Sequence, residues 1–123
     1  DSKKGIDDYN KKFMAITEGK LDLVVLGVGE DGHIASLFPN NAALKNSEDD
    51  YVAVHNAPKV PTERITLSHE AISNAQDVIL LFAADSKKDA FEKFMDKSVK
   101  EADCPAKIAL KAKSCVVFTA FGV

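Results

Sequence analysis

The segment Gly-Val-Gly-Glu-Asp-Gly-His at residues 27–33 concentrates the residue types in this chain that could do chemistry. It follows an apolar run at residues 21–27, which predicts a strand buried on both faces of a parallel sheet. Ligands of open α/β sheets bind at the carboxyl ends of the strands, where this segment would lie. Gly27, Gly29 and Gly32 would let the backbone bend sharply towards a ligand, and the exposed amides could bind an anion or a developing oxyanion.

Asp31 and His33 stand two residues apart within this segment. A carboxylate beside an imidazole can fix its tautomer and raise its basicity, which suits a base that activates water. The spacing leaves a second interpretation open, because an aspartate in a glycine-rich turn can simply cap the loop or a helix. The glycines complete neither a dinucleotide-binding fingerprint nor a P-loop, and no His, Cys or Asp cluster has metal-ligand spacing. We therefore expect no cofactor and no metal.

The rest of the chain supplies the elements that must position this segment. Amphipathic spacing predicts helices and apolar runs predict strands: helices at 3–19, 33–38, 69–75, 85–99 and 105–110, strands at 21–27, 51–55, 64–68, 77–84 and 114–121. Ile16 in the first helix and Phe94 and Met95 in the fourth are expected to face the core. Strands that alternate with helices indicate one α/β domain over residues 1–123, a Rossmann-like parallel sheet with flanking helices.

Composition narrows the class of protein. The chain has 123 residues, of which 46% are hydrophobic and 28% charged, as in ordinary globular proteins, and its net charge is −3. No basic face points to nucleic acid, and no run of 18 apolar residues points to a membrane helix. Two cysteines are too few for a disulfide framework, so we expect reduced thiols and a cytoplasmic location.

Three blocks of the sequence resemble the 6-phosphogluconolactonases. They are LDLVVLGVGEDGHIASLFPN at 21–40, APKVPTERITLS at 57–68 and NAQDVILLFAADSKKDAF at 74–91. The first block also resembles, more distantly, the glucosamine-6-phosphate deaminases, whose motif ends in Phe-Asn-Glu-Pro with a catalytic glutamate. Phe38 stands where that glutamate would be, and a phenyl ring cannot take or orient a proton. The residues therefore favour the lactonase and imply a partial domain of the fold that the two enzyme types share.

The resemblance implies a hydrolase that opens 6-phospho-D-glucono-1,5-lactone, with roles for the matching residues. His33 would be the general base, oriented by Asp31, while Gly29 and its neighbouring amides would stabilise the oxyanion or hold the substrate. Arg64 would contact the substrate phosphate, since a guanidinium fork matches phosphate geometry. Lys59 would assist it. A surface salt bridge for Arg64 and simple solvation of Lys59 are the open alternatives.

The resemblance covers only the C-terminal half of a family member, because such proteins are about twice as long. The matching first half would carry a phosphate loop rich in Gly and Ser and an acidic-Arg motif. We therefore expect these 123 residues alone to be nearly inactive. A halved sheet exposes strand edges, which favour pairing with a second copy of the chain, so a homo-oligomer is possible. The alternatives are a sugar-phosphate deaminase or isomerase and a non-catalytic fragment.

Overall fold

The computed structural model describes residues 2–123, in which two small sheets are joined by helices and loops. The α-helices are α1 (Ser2–Thr17), α2 (His69–Ser73) and α3 (Lys88–Met95), and short 3-10 helices lie at Ala42–Lys45, Asp85–Lys87 and Pro105–Lys111. The strands are β1 (Leu23–Gly27), β2 (Tyr51–Val54), β3 (Arg64–Leu67), β4 (Asp77–Phe82) and β5 (Ser114–Thr119). All five predicted strands are therefore present, within a few residues of their expected ends.

The main sheet has the strand order β1-β4-β5, and all its strands are parallel. Gly27 of β1 lies opposite Leu81 of β4, which lies opposite Phe118 of β5, so the three carboxyl ends share one edge. This confirms the parallel α/β class. Strands β2 and β3 depart from it, because they form a separate antiparallel pair. The loop between them is too short for the crossover that parallel pairing requires.

The core lies on one face of the main sheet. Val78, Leu80 and Phe82 of β4 are fully buried there, and residues of the other elements pack around them. The opposite face is open in the described residues: Leu23 and Val25 are each 54% exposed, Val116 47% and Phe118 55%. The expectation that residues 21–27 form a strand buried on both faces is therefore wrong for this chain, whose β1 alternates between core and solvent.

Helix α1 packs on strand β2 of the antiparallel pair. The Phe13 ring meets the Tyr51 ring edge-on at 5.8 Å, and the Asn10 side chain bonds both backbone groups of Tyr51. Gly19, with a φ of 82°, lies two residues after the end of the helix. Ile16 is largely exposed, so the predicted apolar face of this helix is only partly buried.

Two predicted helices take other forms. Residues 33–38 fold as a tight turn, in which Ile34 bridges both Val28 and Leu37 and Ala35 has a φ of 49°. Ile34 and Leu37 are both fully buried, so their helical spacing reflects packing of the turn. The helix predicted at 85–99 is a 3-10 turn followed by α3, neither with a side-chain cap. It ends at Met95, which is exposed.

The predicted helix at 105–110 exists in the 3-10 form, with Pro105 in its first turn. Among the helices of residues 2–123, none has the length and apolar character needed to cross a lipid bilayer.

Candidate active site

The loop after β1 folds back on itself through its own backbone. The Gly29 amide donates to the carbonyl of His33 at 2.9 Å, and the Gly32 amide donates to the carbonyl of Gly29 at 3.0 Å. Gly32 has a φ of 87°, and a β-carbon there would meet Cys104 Sγ at 3.0 Å. Glycine is therefore required at residue 32, for its backbone conformation and for space. Gly27, by contrast, ends strand β1 in open surroundings.

Asp31 and His33 are in direct contact. His33 Nδ1 lies 2.5 Å from Asp31 Oδ1, and the same oxygen accepts the backbone N–H of His33 at 3.0 Å. The Asp31 carboxylate thus makes both of the contacts that the sequence left as alternatives: it caps the loop, and it binds the imidazole.

The Asp31 contacts favour the ionised carboxylate and determine which tautomer of the His33 imidazole they bind. Burial alone would raise the pKa of the Asp31 carboxyl, but the hydrogen bonds from the amide and ring of His33 outweigh it and lower that pKa. An ionised carboxylate can only accept, so the bond requires a proton on Nδ1 of the neutral imidazole. Nε2 is then the nitrogen that can take a proton from water.

The imidazole of His33 is enclosed by Gly29 on one side and Phe38 on another. A β-carbon at Gly29 would lie 2.0 Å from His33 Cε1, far inside contact distance. The Phe38 ring lies 4.6 Å from the imidazole, and the guanidinium carbon of Arg64 lies 5.2 Å from the centre of that phenyl ring. Phe38 therefore contacts both His33 and Arg64.

A cavity of about 290 Å³ opens at the carboxyl ends of β1 and β4. Four of the five predicted site residues line it, and they are Gly29, Asp31, His33 and Lys59; Glu30, Phe38, Pro58 and Lys87 complete the lining. Lys87 was not singled out from the sequence. The sequence feature that could have identified it is its position just after an apolar strand, since β4 ends beside β1.

Arg64, the fifth predicted residue, does not line this cavity. Its Nε donates to the carbonyl of Pro61 at 2.9 Å, and one terminal nitrogen donates to the carbonyl of Lys59 at 3.0 Å. The guanidinium is thus tied to the loop that carries Lys59. No ion pair joins Arg64 to a carboxylate among the residues that the structure describes.

A larger cavity of about 660 Å³ lies against Asn41, Lys45 and Glu101. It contains neither His33 nor another pair of base and orienting carboxylate, so we place the chemistry in the smaller cavity. Over residues 2–123, no three His, Cys, Asp or Glu side chains are arranged to hold a metal ion.

The chain is similar to known proteins over most of its length. Residues 1–118 match the family described as glucosamine-6-phosphate isomerases/6-phosphogluconolactonase. The chain is 35% identical to a 6-phosphogluconolactonase of Borreliella burgdorferi over 97% of its own length and 50% of that protein.

Solved structures extend the comparison. A 6-phosphogluconolactonase of Shewanella baltica is 31% identical with a TM-score of 0.68, over 80% of this chain and 43% of that one. One from Thermotoga maritima, at 24% identity and a TM-score of 0.78 over 97% of this chain and 51% of that one, shares the fold. The chain thus spans about half the length of the relatives it matches. It belongs to the glucosamine-6-phosphate isomerase/6-phosphogluconolactonase family.

Proposed function

We propose that this chain is part of a 6-phosphogluconolactonase, which hydrolyses 6-phospho-D-glucono-1,5-lactone to 6-phosphogluconate in the pentose phosphate pathway. The observation that carries the proposal is the contact between Asp31 and His33 in a cavity that also holds lysine side chains. A base for water and cations for a phosphate are the two features that this substrate needs. The names of the relatives point to the same reaction.

In the proposed reaction, Nε2 of His33 removes a proton from water as the water oxygen attacks the lactone carbonyl carbon. Asp31 holds the imidazole through Nδ1 and stabilises the imidazolium that forms. The negative charge develops on the carbonyl oxygen, where amide donors can stabilise it. Collapse of the tetrahedral intermediate breaks the bond to the ring oxygen, which takes the proton from His33 and becomes a hydroxyl.

The Gly29 amide is already bonded to His33 O, so the proposed contribution of Gly29 to the site is space for the imidazole. The amides of Glu30 and Asp31 are the neighbouring candidates for the oxyanion. Both residues line the cavity.

The phosphate of the substrate is proposed to lie near Lys59 and Lys87, which bring positive charge to the cavity. We retain Arg64 as a further phosphate contact, because its guanidinium lies next to Phe38 of the cavity wall. Two of its three nitrogens bond loop carbonyls, and the remaining terminal nitrogen is the one proposed to reach the phosphate. A lysine binds phosphate as a point charge, whereas the arginine fork adds direction.

A complete site is proposed to need the other half of a family-length chain, since the relatives are about twice as long. Holding a substrate in reactive geometry can be worth about 7–11 kcal/mol of barrier, which half a site cannot supply. The 123 residues alone should therefore be nearly inactive. We also propose a cytoplasmic location, in keeping with the free thiols of Cys104 and Cys115.

The competing activity in the family is deamination and isomerisation of a sugar phosphate. Phe38 argues against it, because its ring packs on His33 in the place that the resemblance gives to the deaminase glutamate. The test is to assay a family-length protein that contains this chain on two substrates. We expect hydrolysis of 6-phosphogluconolactone above the spontaneous rate and no ammonia from glucosamine 6-phosphate. Ammonia release without lactone hydrolysis would refute the proposal.

A further inference from the structure

Thr66 is one of two buried polar side chains found in the described residues, with 3% of its surface exposed. Its hydroxyl accepts the backbone N–H of Ser36 at 3.0 Å and donates to the carbonyl of Leu67 at 3.1 Å. Both hydrogen-bonding functions of the hydroxyl are therefore used inside the protein. One of them reaches across 30 residues to the turn that begins with His33.

That turn needs an external support. Residues 33–38 carry His33 at one end and Phe38 at the other, and the two rings lie 4.6 Å apart. Within the turn, Leu37 N–H bonds to Ile34 O, while Ala35 holds a left-handed φ of 49° that a non-glycine residue rarely adopts. Such a conformation persists only where its surroundings enforce it. The Ser36 amide, which follows Ala35 directly, donates to the Thr66 side chain of strand β3, whereas the other bonds of the turn go to neighbouring parts of the same loop.

Strand β3 provides that support at two positions. Arg64 and Thr66 are two residues apart on the strand, so their side chains leave the same face. Arg64 lies over the Phe38 ring, and Thr66 binds the Ser36 amide. The antiparallel pair, which is separate from the main sheet, thus contacts the turn at its middle and at its end.

We propose that Thr66 is a positioning residue for His33, which it holds in register with Asp31 by anchoring the Ser36 amide from β3. Its functional meaning rests on the proposed role of His33 as the base. The anchoring itself can be measured on the 123-residue chain without substrate, so its failure is distinguishable from failure of the proposed function.

The test compares Thr66→Val, which keeps the shape and removes the hydroxyl, with Thr66→Ser, which keeps the hydroxyl. The readout is the pKa of the Asp31 carboxyl, followed by carbon-13 NMR, because that pKa is lowered by the hydrogen bonds from His33. Loss of overall stability alone would not move this value in the folded state. Glu30, Lys59 and Lys87, the other charged residues of the cavity, are the same in all variants.

We expect the Asp31 pKa to rise towards its ordinary value in Thr66→Val and to stay at the wild-type value in Thr66→Ser. The matched control is Thr119→Val, which removes a hydroxyl bonded to the carbonyl of Phe121 and should leave Asp31 unchanged. An Asp31 pKa in Thr66→Val equal to that of the wild type would overturn the proposal.

Amide exchange in the wild type gives a second measurement that needs no variant, should Thr66→Val fail to fold. We expect the Ser36 amide to exchange at least about tenfold more slowly than in an unfolded chain, as a hydrogen-bonded amide does. Exchange at the unfolded rate would show that Thr66 does not hold the turn and would equally overturn the proposal.

Discussion

The α-carbon of Gly29 lies against the imidazole of His33, so that a β-carbon at this position would come within 2.0 Å of Cε1 and 2.1 Å of Nδ1. Gly29→Ala should therefore displace the ring from Asp31. In a family-length protein we expect lactone hydrolysis to fall by about 10²–10⁴-fold, the usual contribution of a general base. The measurement is the initial rate, corrected for spontaneous hydrolysis.

The matched control is Gly27→Ala, because a β-carbon there would meet nothing within 4 Å. It should leave the His33 ring signals of the 123-residue chain at their wild-type NMR positions, whereas Gly29→Ala should shift them. Equal activity of Gly29→Ala and the wild type would show that the ring position is not what the reaction depends on.

The Asp31 carboxylate should contribute to stability in a pH-dependent way. Its pKa is lowered in the folded chain, so the contribution is fully present above the unfolded value, near 3.8, and is lost as pH falls through the folded value. The side chain is 42% exposed, so the effect should be small. Urea unfolding of the wild type and Asp31→Asn should differ most at neutral pH and converge in acid below pH 3.8. A gap that widens in acid would contradict this sign.

Lys87 should act on the phosphate of the substrate. Lys87→Met should raise KM for 6-phosphogluconolactone by about ten- to hundredfold, since a hydrogen bond to a charged group contributes about 1.5–3 kcal/mol. KM for the unphosphorylated lactone should change little. If Arg64 contacts the phosphate, Arg64→Ala should also raise KM for the phosphorylated lactone more than KM for the unphosphorylated one.

The control for Lys87 is its neighbour Lys88, which pairs with Asp85 and lies over Phe121, outside the cavity. Lys88→Met should leave both KM values unchanged. Equal losses on the two substrates would rule out a phosphate contact, and for Arg64 they would indicate an effect through the Lys59 loop, to which its guanidinium is bonded.

The open face of the main sheet should make the isolated chain self-associate. Parallel sheets are normally covered on both faces, whereas Val25 and Phe118 lie exposed here. Phe118→Lys should shift the chain towards monomer in sedimentation velocity. Met95→Lys, at a residue that is 62% exposed on α3, should behave as the wild type. A wild-type chain that stays monomeric at high concentration would contradict this expectation.

Most of the strands could be predicted from the sequence, because a short apolar run is typical of a buried strand whichever strands it pairs with. Residues 77–84 and 114–121 predicted β4 and β5 in this way. The antiparallel pairing of β2 with β3 was not predicted, since pairing depends on the length and path of the connection. The sequence predicts a helix at 33–38 where the structure has a turn, because a spacing of three residues between Ile34 and Leu37 lets both side chains pack on one side in either conformation.

In the site, too, contacts between residues close in the sequence could be predicted, and contacts that depend on the fold could not. The pairing of Asp31 with His33 could be predicted, because the residues are close along the chain and chemically matched. The place of Lys87 in the cavity could not be predicted, because it depends on the pairing of β1 with β4. Lysines at the start of a helix are also common. The contacts of Phe38 with His33 and Arg64 likewise become visible only in the folded chain.

The most direct test of the account is the rate of 6-phosphogluconolactone hydrolysis by His33→Asn in a family-length protein that contains this chain. Asparagine keeps a polar side chain of similar reach but cannot act as the base. We predict a fall of about 10²–10⁴-fold once spontaneous hydrolysis is subtracted. A rate that remains within about threefold of the wild type, far short of a base's usual contribution, would contradict the assignment of His33 and with it the proposed mechanism.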